Sequence, residues 1–486
     1  MLSLIIFLPL LAALVVLFLP EGKPRLLRGT ALAGACGSLL GSLLLWLDYD
    51  YQGEALQMAD RVRWIPSVGA SYHVAVSGFS LPLIVLAALL TTMVMIYLWP
   101  KPTERARFHT FLFLVMATGL MGVFAAQDLL LFYLFFEVGL VPMYFIVGVW
   151  GHERRHYAAM KFFLYTRAGS LALLLSFLGL YLAMEPHTFS IPEILAAQPL
   201  SGSPKLAALV LLGMVIGFGV KLPILPIHNW LPDAHVEAPT EGSVILAGVQ
   251  LKMGAYGFIF LLPAVAGAAR VYGPVLMGLG VATLIYGALA ALGQTDLKRL
   301  VAYSSINHMG YFLIAVAAAA VTTDPQVRSL ALSGATLQAV SHGLLTGGMF
   351  FLVGMLYQRA DTRDINSFGG LLGRAPGYSV LLGLLAFGSL GLPGLSGFIA
   401  EFQVITAALQ VSVVAAVFTV IGLLITTGLY IRVLMKVVVG EAPPEMPPVS
   451  PLVTREWIAV APLVVLSILI GLFPAPLLAL IERGAL

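Results

Sequence analysis

The amino-acid sequence predicts an all-α, polytopic membrane protein with about 14 transmembrane helices. Hydrophobic residues make up 60% of the 486-residue chain and charged residues only 10%, whereas soluble proteins carry about 25% charged residues. Apolar stretches of about 20 residues recur from end to end, and each is long enough to cross the ~30 Å hydrocarbon layer. A few ionisable residues nevertheless lie in the middle of these stretches, which predicts a path for ions or protons.

The apolar stretches can be placed in order along the chain, to within about four residues. The first has no basic segment ahead of it and is followed by Pro20 to Lys23 rather than by a small-residue cleavage site. We therefore expect a retained first helix and not a signal peptide. The fourteen stretches are 3–20, 27–47, 77–98, 109–126, 128–149, 160–184, 206–226, 239–262, 273–293, 298–320, 329–357, 377–408, 413–436 and 456–477.

Basic residues concentrate in alternate loops. Of the Lys and Arg side chains, 16 fall on one side of the predicted helices and 6 on the other. The positive-inside rule then predicts that both termini lie on the non-cytoplasmic side. The basic side holds Lys23, Arg25, Arg28, Lys101, Arg105, Arg107, Arg154, Arg155, Lys298, Arg299, Arg359, Arg363, Arg374, Arg432, Lys436 and Arg455, and the opposite side holds Arg61, Arg63, Lys205, Arg270, Arg328 and Arg483.

No loop is long enough to form a separate domain, so we expect a single integral membrane domain over residues 1–486. The longest loop, about 48–76, has Val62 and Trp64, then Tyr72 and Val74, between turn residues. This pattern fits either a short external hairpin or a plain connection. Cys36 is the only cysteine, which excludes an internal disulfide and any cysteine-based metal or iron–sulfur site.

Two of the long stretches are interrupted by proline and glycine, one over Lys221 to Asp233 and the other over Gly391 to Glu401. Proline removes a backbone donor and breaks a helix. The breaks fall in helices 7 and 12, which predicts two five-helix repeats, helices 4–8 and 9–13, inverted because each has an odd number of helices. Two unrelated proline kinks are the alternative. The expected parts are 1–107 (helices 1–3), 108–262 (first repeat), 273–436 (second repeat) and 450–486 (last helix).

Four ionisable residues lie deep in apolar stretches: Glu137, Lys221, Lys252 and Glu401. A charge at the bilayer centre costs at least ~2.5–3.5 kcal/mol, so each must pair with an opposite charge or change its protonation. A lysine balanced between desolvation and a nearby acid can load and release a proton. We therefore predict proton transfer at these four residues. Structural ion pairs are the alternative.

Three histidines extend this set: His228 after the first break, His308 in helix 10 and His342 in helix 11. Histidine titrates near neutrality, so we predict that they form a polar axis, with plain buried hydrogen-bonding histidines as the alternative. Their spacing is not that of a compact metal site, and no metal is assigned. Arg167 does not deprotonate in proteins. It could tune Glu137 or extend towards the basic side, and we favour the second.

Four motifs resemble the antiporter-like subunits of respiratory complex I. They are Glu137 with Pro142 following, Lys221 to Thr240, Lys298 to Gly310, and Gly391 to Glu401, and the resemblance extends from about residue 80 to residue 440. Within this group the chain is most similar to the middle subunit, bacterial chain M or mitochondrial chain 4. The residue Glu401 supports this, since the sister subunits and sodium/proton antiporter homologues typically have lysine there. We also expect no long lateral helix of the kind that extends the distal subunit.

The resemblance implies fourteen helices, two inverted repeats and broken helices 7 and 12. It also implies roles for the buried charges. Glu137 and Lys221 would form a charge-coupled pair, Lys252 would be the central proton-carrying lysine, and Glu401 would be the terminal group beyond the histidines. Arg167 stands where an uncharged residue is expected, which opens a second partner for Glu137.

The sequence therefore predicts a translocase: a proton-translocating membrane subunit of an NADH:quinone oxidoreductase, in the bacterial inner membrane. The resemblance implies other membrane subunits as partners, including two sister antiporter-like subunits, and no nucleic acid. It places NADH, FMN, iron–sulfur clusters and quinone on partner subunits and no cofactor on this chain. Alternatives are a subunit of a multi-chain sodium/proton antiporter or membrane-bound hydrogenase, or a structural membrane subunit that transports nothing. A solitary solute transporter fits least, since no substrate-sized polar pocket is evident.

Overall fold

The computed structural model describes residues 1–99 and 103–485, so Lys101 of the predicted basic loops lies outside the described residues. In that part of the chain, 11 helices are long and apolar enough to cross a membrane, and one of them, Thr240–Leu292, has 53 residues and forms two spans. The 11 helices thus give twelve spans. The remaining two spans are the shorter apolar helix Leu2–Phe18 and a span made of two short helices, Pro376–Ser389 and Ser396–Val411. The predicted fourteen transmembrane helices are therefore confirmed.

The spans are numbered 1 to 14 in chain order, and five of them consist of more than one helical piece. Their bounds are Leu2–Phe18, Pro24–Leu47, Ser80–Tyr97, Ala106–Ala125, Leu129–Val138 with Leu140–Trp150 (span 5), Arg155–Leu182, Pro204–Lys221 with Trp230–Glu237 (span 7), Thr240–Ile245 with Leu246–Gln250 and Leu251–Leu261 (span 8), Ala266–Leu292, Leu297–Val321, Pro325–Ala360, Pro376–Ser389 with Ser396–Val411 (span 12), Val413–Val433 with Leu434–Val439 (span 13) and Thr454–Leu472. Short helical pieces outside the spans are Pro66–Val68, Ile191–Ala197, Leu262–Val265, Ile365–Ser367, Leu371–Arg374 and Ala475–Ala485.

Of the two alternatives for the longest loop, the structure has the hairpin. Its strands are β1 (Gln57–Ile65) and β2 (Ala70–Val76), paired antiparallel. Between them Gly69 has φ +67°, a left-handed conformation that glycine adopts without a steric cost. The backbone N–H of Ser71 donates to the Asp128 carboxylate at 2.8 Å, which ties the hairpin to the start of span 5.

Both predicted helix breaks are present. Span 7 stops at Lys221 and resumes at Trp230, and span 12 stops at Ser389 and resumes at Ser396. The first break contains Pro223 and Pro226, and the second contains Gly391 and Gly394. These residues explain why the backbone leaves the helix there. Each break therefore places non-helical backbone inside a span.

Side chains of neighbouring spans satisfy part of this broken backbone. The Thr283 hydroxyl of span 9 accepts a hydrogen bond from the Leu225 N–H at 3.0 Å. The Ser467 hydroxyl of span 14 accepts one from the Ser396 N–H at 3.3 Å. Irregular backbone is tolerated at membrane depth only where protein surrounds it in this way.

Two matching backbone bridges mark the repeats. Asp128, which begins span 5, forms an isolated antiparallel bridge with Ser190, and Asp296, which begins span 10, forms one with Asp364. Each carboxylate also accepts from two N–H groups of the helix it begins, at 3.0 and 3.2 Å for Asp128 and at 2.8 and 2.9 Å for Asp296. Helices five spans apart begin on opposite sides of the membrane. The bridges thus fit the inverted five-helix repeats, spans 4–8 and 9–13.

The centre of the bundle lies at spans 10 and 11. The apolar window of span 11 is 100% buried and that of span 10 is 89% buried, against 33% for span 14 and 39% for span 6. A polar side chain on span 10 or 11 is therefore shielded from lipid by protein on all sides. These two spans carry His308 and His342.

Candidate functional site

Four of the predicted residues form one run through the interior of the second half of the chain. The Lys252 ammonium lies 2.6 Å from Nδ1 of His342. The rings of His342 and His308 lie 5.5 Å apart, centroid to centroid, and Nδ1 of His308 lies 3.6 Å from Oε1 of Glu401. All four side chains are buried. The structure therefore connects spans 8, 11, 10 and 12 through ionisable groups.

The lysine is positioned by an irregularity in span 8. Residues Leu246–Gln250 form a π-helical turn, a feature that recurs at functional sites in helices. Two residues later, the Lys252 ammonium reaches back and donates to the Ala247 carbonyl at 2.5 Å. The backbone thus holds the lysine next to His342.

The lysine also sets the role of the imidazole. A charged ammonium can only donate hydrogen bonds, so with Lys252 protonated, Nδ1 of His342 accepts and a neutral His342 carries its proton on Nε2. Span 11 supplies one more contact a turn earlier, where the Gln338 amide nitrogen lies 3.4 Å from Nδ1 of His308. The two histidines therefore occupy defined positions between the lysine and the carboxylate.

Glu401 lies beneath the break in span 12. Gly391 in this break has φ +80°, and a Cβ atom at this position would collide with the Glu401 carboxylate. Glycine thus permits the backbone to pass directly over the acid. A cavity of about 10 Å³, lined by His308, His342, Glu401 and polar neighbours, lies beside it. This volume is close to the minimum that holds one water molecule.

A chain of three hydroxyl groups leads away from this cavity. The hydroxyl oxygen of Ser341 in span 11 lies 2.7 Å from that of Ser396 at the second break. The Ser396 hydroxyl in turn lies 2.8 Å from that of Ser467 in span 14. Each hydroxyl can donate one hydrogen bond while accepting another, so the chain can pass a proton.

The first half is arranged differently. The Glu137 carboxylate pairs with the Arg167 guanidinium at 2.7 Å, and the same guanidinium nitrogen lies 3.4 Å from the Tyr133 hydroxyl. The interpretation that Arg167 extends towards the basic side is therefore wrong, because its guanidinium turns towards the acid on the neighbouring span. The Arg167 side chain remains 43% exposed and that of Glu137 18%.

Lys221 is buried at the end of the first piece of span 7. Among the described residues it makes no hydrogen bond or ion pair. Its ammonium lies 5.5 Å from the ring centres of Phe136 and Phe162, within the range of a cation–π contact. Glu137 is close enough to act on it electrostatically. The expected Glu137–Lys221 pair is thus replaced in this structure by Glu137–Arg167.

Spans 7 and 8 pack closely beside Lys221. A Cβ atom at Gly254 would lie 3.0 Å from the Leu222 nitrogen and 3.1 Å from Cβ of Lys221. The absence of a side chain at Gly254 therefore brings Lys221 against the helix that carries Lys252. The two lysines occupy adjacent helices, although only Lys252 joins the run to Glu401.

His228 lies in the first break, buried, with its ring 4.8 Å from that of Tyr286. Among the described residues it has no contact with the run from Lys252 to Glu401. Its place in the polar axis stays a prediction. Another histidine, His235, is closer to the run, since it interacts electrostatically with both Lys252 and His342.

Sequence reasoning missed a second group of buried charges, at the starts of spans 2, 4 and 8. His109 Nε2 lies 3.3 Å from the Glu241 carboxylate, and Arg28 is also buried there. Each residue lies near the end of an apolar stretch, where a charge is common. Their shared signal was position: all three lie about one turn inside a helix that begins on the predicted basic side.

No group of three or more His, Cys, Asp or Glu side chains in the described ranges could hold a metal ion. Separately, the acids, bases and hydroxyl groups of this interior can hold and transfer protons.

Comparison with known proteins gives consistent matches. A family model described as "NADH:quinone oxidoreductase/Mrp antiporter, TM" matches residues 126–426. NADH-quinone oxidoreductase subunit M of Rhodobacter capsulatus is 37% identical over 491 residues, covering 98% of this chain and 93% of the relative. NAD(P)H-quinone oxidoreductase chain 4 of a Synechococcus species is 41% identical over 487 residues, covering 97% and 90%.

Solved structures match over the same length. A chain of respiratory complex I from Thermus thermophilus with bound NADH superposes with a TM-score of 0.89 at 29% identity, covering 100% of this chain and 99% of that one. A chain of the Mrp complex from a Dietzia species gives a TM-score of 0.86 at 20% identity, with 100% and 97% covered. At that identity the likeness to the Mrp chain concerns the fold alone.

Proposed function

Since the chain belongs to the family of NADH-quinone oxidoreductase M and chain 4 subunits, we propose that it carries protons across the membrane as an antiporter-like subunit of such a complex. The observation that carries this proposal is the buried run Lys252–His342–His308–Glu401. A row of ionisable groups at membrane depth is expensive unless protons or ions use it.

The run moves a proton in three transfers. Lys252 donates to His342 along the existing 2.6 Å contact. A proton then passes between the two imidazoles, and His308 delivers it to Glu401, 3.6 Å away. Because the charge on each group changes the proton affinity of its neighbours, the run titrates as a coupled set rather than as separate residues. Glu401 releases its proton towards the second break.

The first half controls the charge beside Lys252. Glu137 has two cations within reach, Arg167 and Lys221, and in this structure it is held by Arg167. When redox chemistry in partner subunits draws Glu137 towards Lys221, the positive charge beside span 8 is partly neutralised. Lys252 then retains its proton more readily, and the return of Glu137 to Arg167 favours its release. Arg167 acts as a fixed counter-charge, since arginine keeps its proton.

The proposal includes the surroundings of the chain. Its partners are other membrane subunits, two of them sister antiporter-like subunits, and these partners hold NADH, FMN, iron–sulfur clusters and quinone. The membrane is the bacterial inner membrane, with both termini on the non-cytoplasmic side. The excess of basic residues in alternate loops supports this orientation.

The test measures protons translocated per electron by the purified native complex in proteoliposomes, with NADH oxidation followed in parallel. Lys252→Ala removes the start of the run, so the ratio falls while the complex stays assembled. Lys205→Ala is the matched control, because this lysine is exposed at the start of span 7, and it leaves the ratio unchanged.

Three outcomes would overturn the proposal. An unchanged ratio in an assembled Lys252→Ala complex would remove the lysine from proton transfer. Loss of assembly in Lys252→Ala and Lys252→Met alike, with a normal ratio in whatever complex remains, would assign the buried charges to a structural role. A native preparation made only of small membrane subunits, without NADH oxidation, would favour a multi-chain antiporter instead.

A further inference from the structure

A buried acid–base pair joins spans 4 and 8 near the predicted basic side. His109 and Glu241 are 3.3 Å apart, and their side chains are 0% and 4% exposed. Glu241 lies in the first turn of span 8 and His109 in the first turn of span 4. A mobile proton can reside on either partner of such a pair.

The side chain of Trp150 contacts both His109 of the pair and the loop before span 4. The Trp150 ring at the end of span 5 lies 4.7 Å from the His109 ring. Trp150 is itself half-buried, and its indole N–H donates at 2.8 Å to the Glu104 carbonyl in the loop before span 4. Trp150 therefore lies between His109 and the loop before span 4, on the basic side.

Charged and titratable groups surround Glu241 from five directions. Arg28 of span 2, Tyr97 of span 3, His152 of the loop before span 6 and Lys298 of span 10 all interact with it electrostatically, in addition to His109. Arg28 is held by the Thr110 hydroxyl at 2.9 Å. The cluster is therefore built into the protein and is not a loose surface pair.

The same helix leads from this cluster to the run. Glu241 and Lys252 are eleven residues apart on span 8, a distance of about 16 Å along an α-helix. His235 bridges the interval: it is fully buried, stacks on Phe350 of span 11 at 4.5 Å, and interacts electrostatically with both Lys298 and Lys252. The His235 carbonyl accepts from the hydroxyl of Ser243 at 3.1 Å, which ties this histidine to span 8 two residues after Glu241.

We propose that the His109–Glu241 pair is the proton-uptake site of this chain, loading Lys252 by way of His235. A proton from water on the basic side is taken up by the pair when Trp150 moves aside. It passes to His235 and then to a neutral Lys252, and the pair returns to its starting charge. Only protons move, so no oxidant or reductant is needed. This inference rests on the proposed function, because it supplies the run with its protons.

The experiment again measures protons per electron in the native complex, in proteoliposomes. Glu241→Gln keeps the size and a hydrogen-bonding oxygen but cannot take up a proton, so the ratio falls as far as in Lys252→Ala. Glu241→Asp keeps a carboxyl group, so most of the normal ratio of protons to electrons is retained. Glu237→Gln is the matched control, since this half-buried acid at the end of span 7 accepts from the Arg154 N–H, and this variant pumps as the unaltered complex does.

A double variant separates proton uptake from a structural lock. Removing one partner of a buried pair leaves an unpaired charge, whereas replacing both is often tolerated. If the pair only fastens spans 4 and 8, His109→Gln with Glu241→Gln pumps normally, which would overturn the inference. We expect this assembled double variant to remain as deficient as Glu241→Gln.

The two proposals fail in different ways. Normal pumping by both Glu241→Gln and the double variant, with Lys252→Ala deficient, contradicts the uptake site alone. Normal pumping by Lys252→Ala contradicts the proposed function as well.

Discussion

The two repeats hold their buried charges in opposite ways. The second holds His342, His308 and Glu401 in a run closed off from lipid, and Lys252 joins this run from span 8, the last span of the first repeat. In the first, Glu137 is half-buried and pairs with an arginine that is 43% exposed, while the Lys221 ammonium lies beside the rings of Phe136 and Phe162.

The difference follows from where each set lies in the bundle. Spans 10 and 11 form the shielded centre, so charges there can satisfy one another without contact with lipid. Spans 5 and 6 lie at the edge, where a charge can be moved by events outside the chain. An enclosed run suits proton transfer, and a peripheral pair suits control of that transfer.

The largest effect is expected from breaking the run at its middle. His342→Leu removes the only imidazole in contact with Lys252 among the described residues, so pumping by this subunit is lost as completely as in Lys252→Ala. NADH oxidation with an uncoupler present stays near its normal rate. His187→Leu, in the loop after span 6, is the control. A normal ratio of protons to electrons in His342→Leu would show that the run is not the path.

A smaller effect is expected from Glu137 and Arg167 on spans 5 and 6, because these charges modulate the path and are not part of it. Glu137→Gln lowers the coupled pumping rate by roughly fivefold or more, the lower end of typical coupling between sites. Arg167→Gln lowers it less, since Lys221 remains as a partner for Glu137. Both rates come from proton uptake at fixed NADH turnover. If Arg167→Gln were the more damaging of the two, Arg167 rather than Lys221 would be the working partner of Glu137.

The close approach of Gly391 to the Glu401 carboxylate can be tested by a substitution that adds one methyl group. Gly391→Ala forces a left-handed residue and a collision with the carboxylate, a strain of roughly 1–3 kcal/mol. We expect a lower melting temperature of the complex and a partial loss of pumping. Gly383→Ala, in the regular first piece of span 12 where a Cβ atom meets open space, should leave both unchanged. Equal effects at the two glycines would contradict the close approach at Glu401.

The smallest effect is expected on stability, at the contact between the loop after span 5 and span 11. His152, in the loop between spans 5 and 6, makes an edge-to-face contact with Tyr357 of span 11, with the ring centroids 5.2 Å apart. Desolvation, followed by the charges of Lys298 and Arg363, lowers the pKa of His152 from 6.5 to about 4. The unfolded chain therefore binds more protons between these pH values, so this contribution to stability is present above pH 6.5 and is lost as the pH falls towards 4.

This pH dependence can be measured as the melting temperature of the complex at pH 7 and pH 5. His152→Gln should reduce the difference between the two values slightly, while His156→Gln, exposed one turn into span 6, should not. An identical pH dependence in unaltered and His152→Gln complexes would show that the loop does not hold the repeats together in this way.

The sequence was enough for the spans, the breaks and the four deep charges, because each has a local signal. Apolar length sets a span, proline and glycine set a break, and a charge far from both ends of an apolar stretch is visible by itself. The repeat also has a local signal in the sequence, since Asp128 and Asp296 each precede a leucine at the start of helices 5 and 10.

The partners of the charges could not be derived in the same way. Which cation meets Glu137 depends on the rotation of span 6 against span 5, and hydropathy does not specify this rotation. His109 and Glu241 lie near helix ends, where a charge has an ordinary explanation as a solvated residue. Their burial results from the packing of spans 2, 3, 4 and 8, which is a property of the assembled bundle.

The π-helical turn at Leu246–Gln250 makes this chain sensitive to residue number rather than residue type. An α-helix turns about 100° per residue, and a π turn accommodates one residue more than an α turn. Deleting one residue there would leave hydropathy, charge and the number of spans unchanged, yet close the turn into a regular α-helix and remove the geometry in which the Ala247 carbonyl accepts from Lys252. Insertions and deletions in this segment are therefore more harmful than most substitutions. Among homologous sequences, the spacing between Glu241 and Lys252 is a stricter criterion for shared mechanism than overall identity.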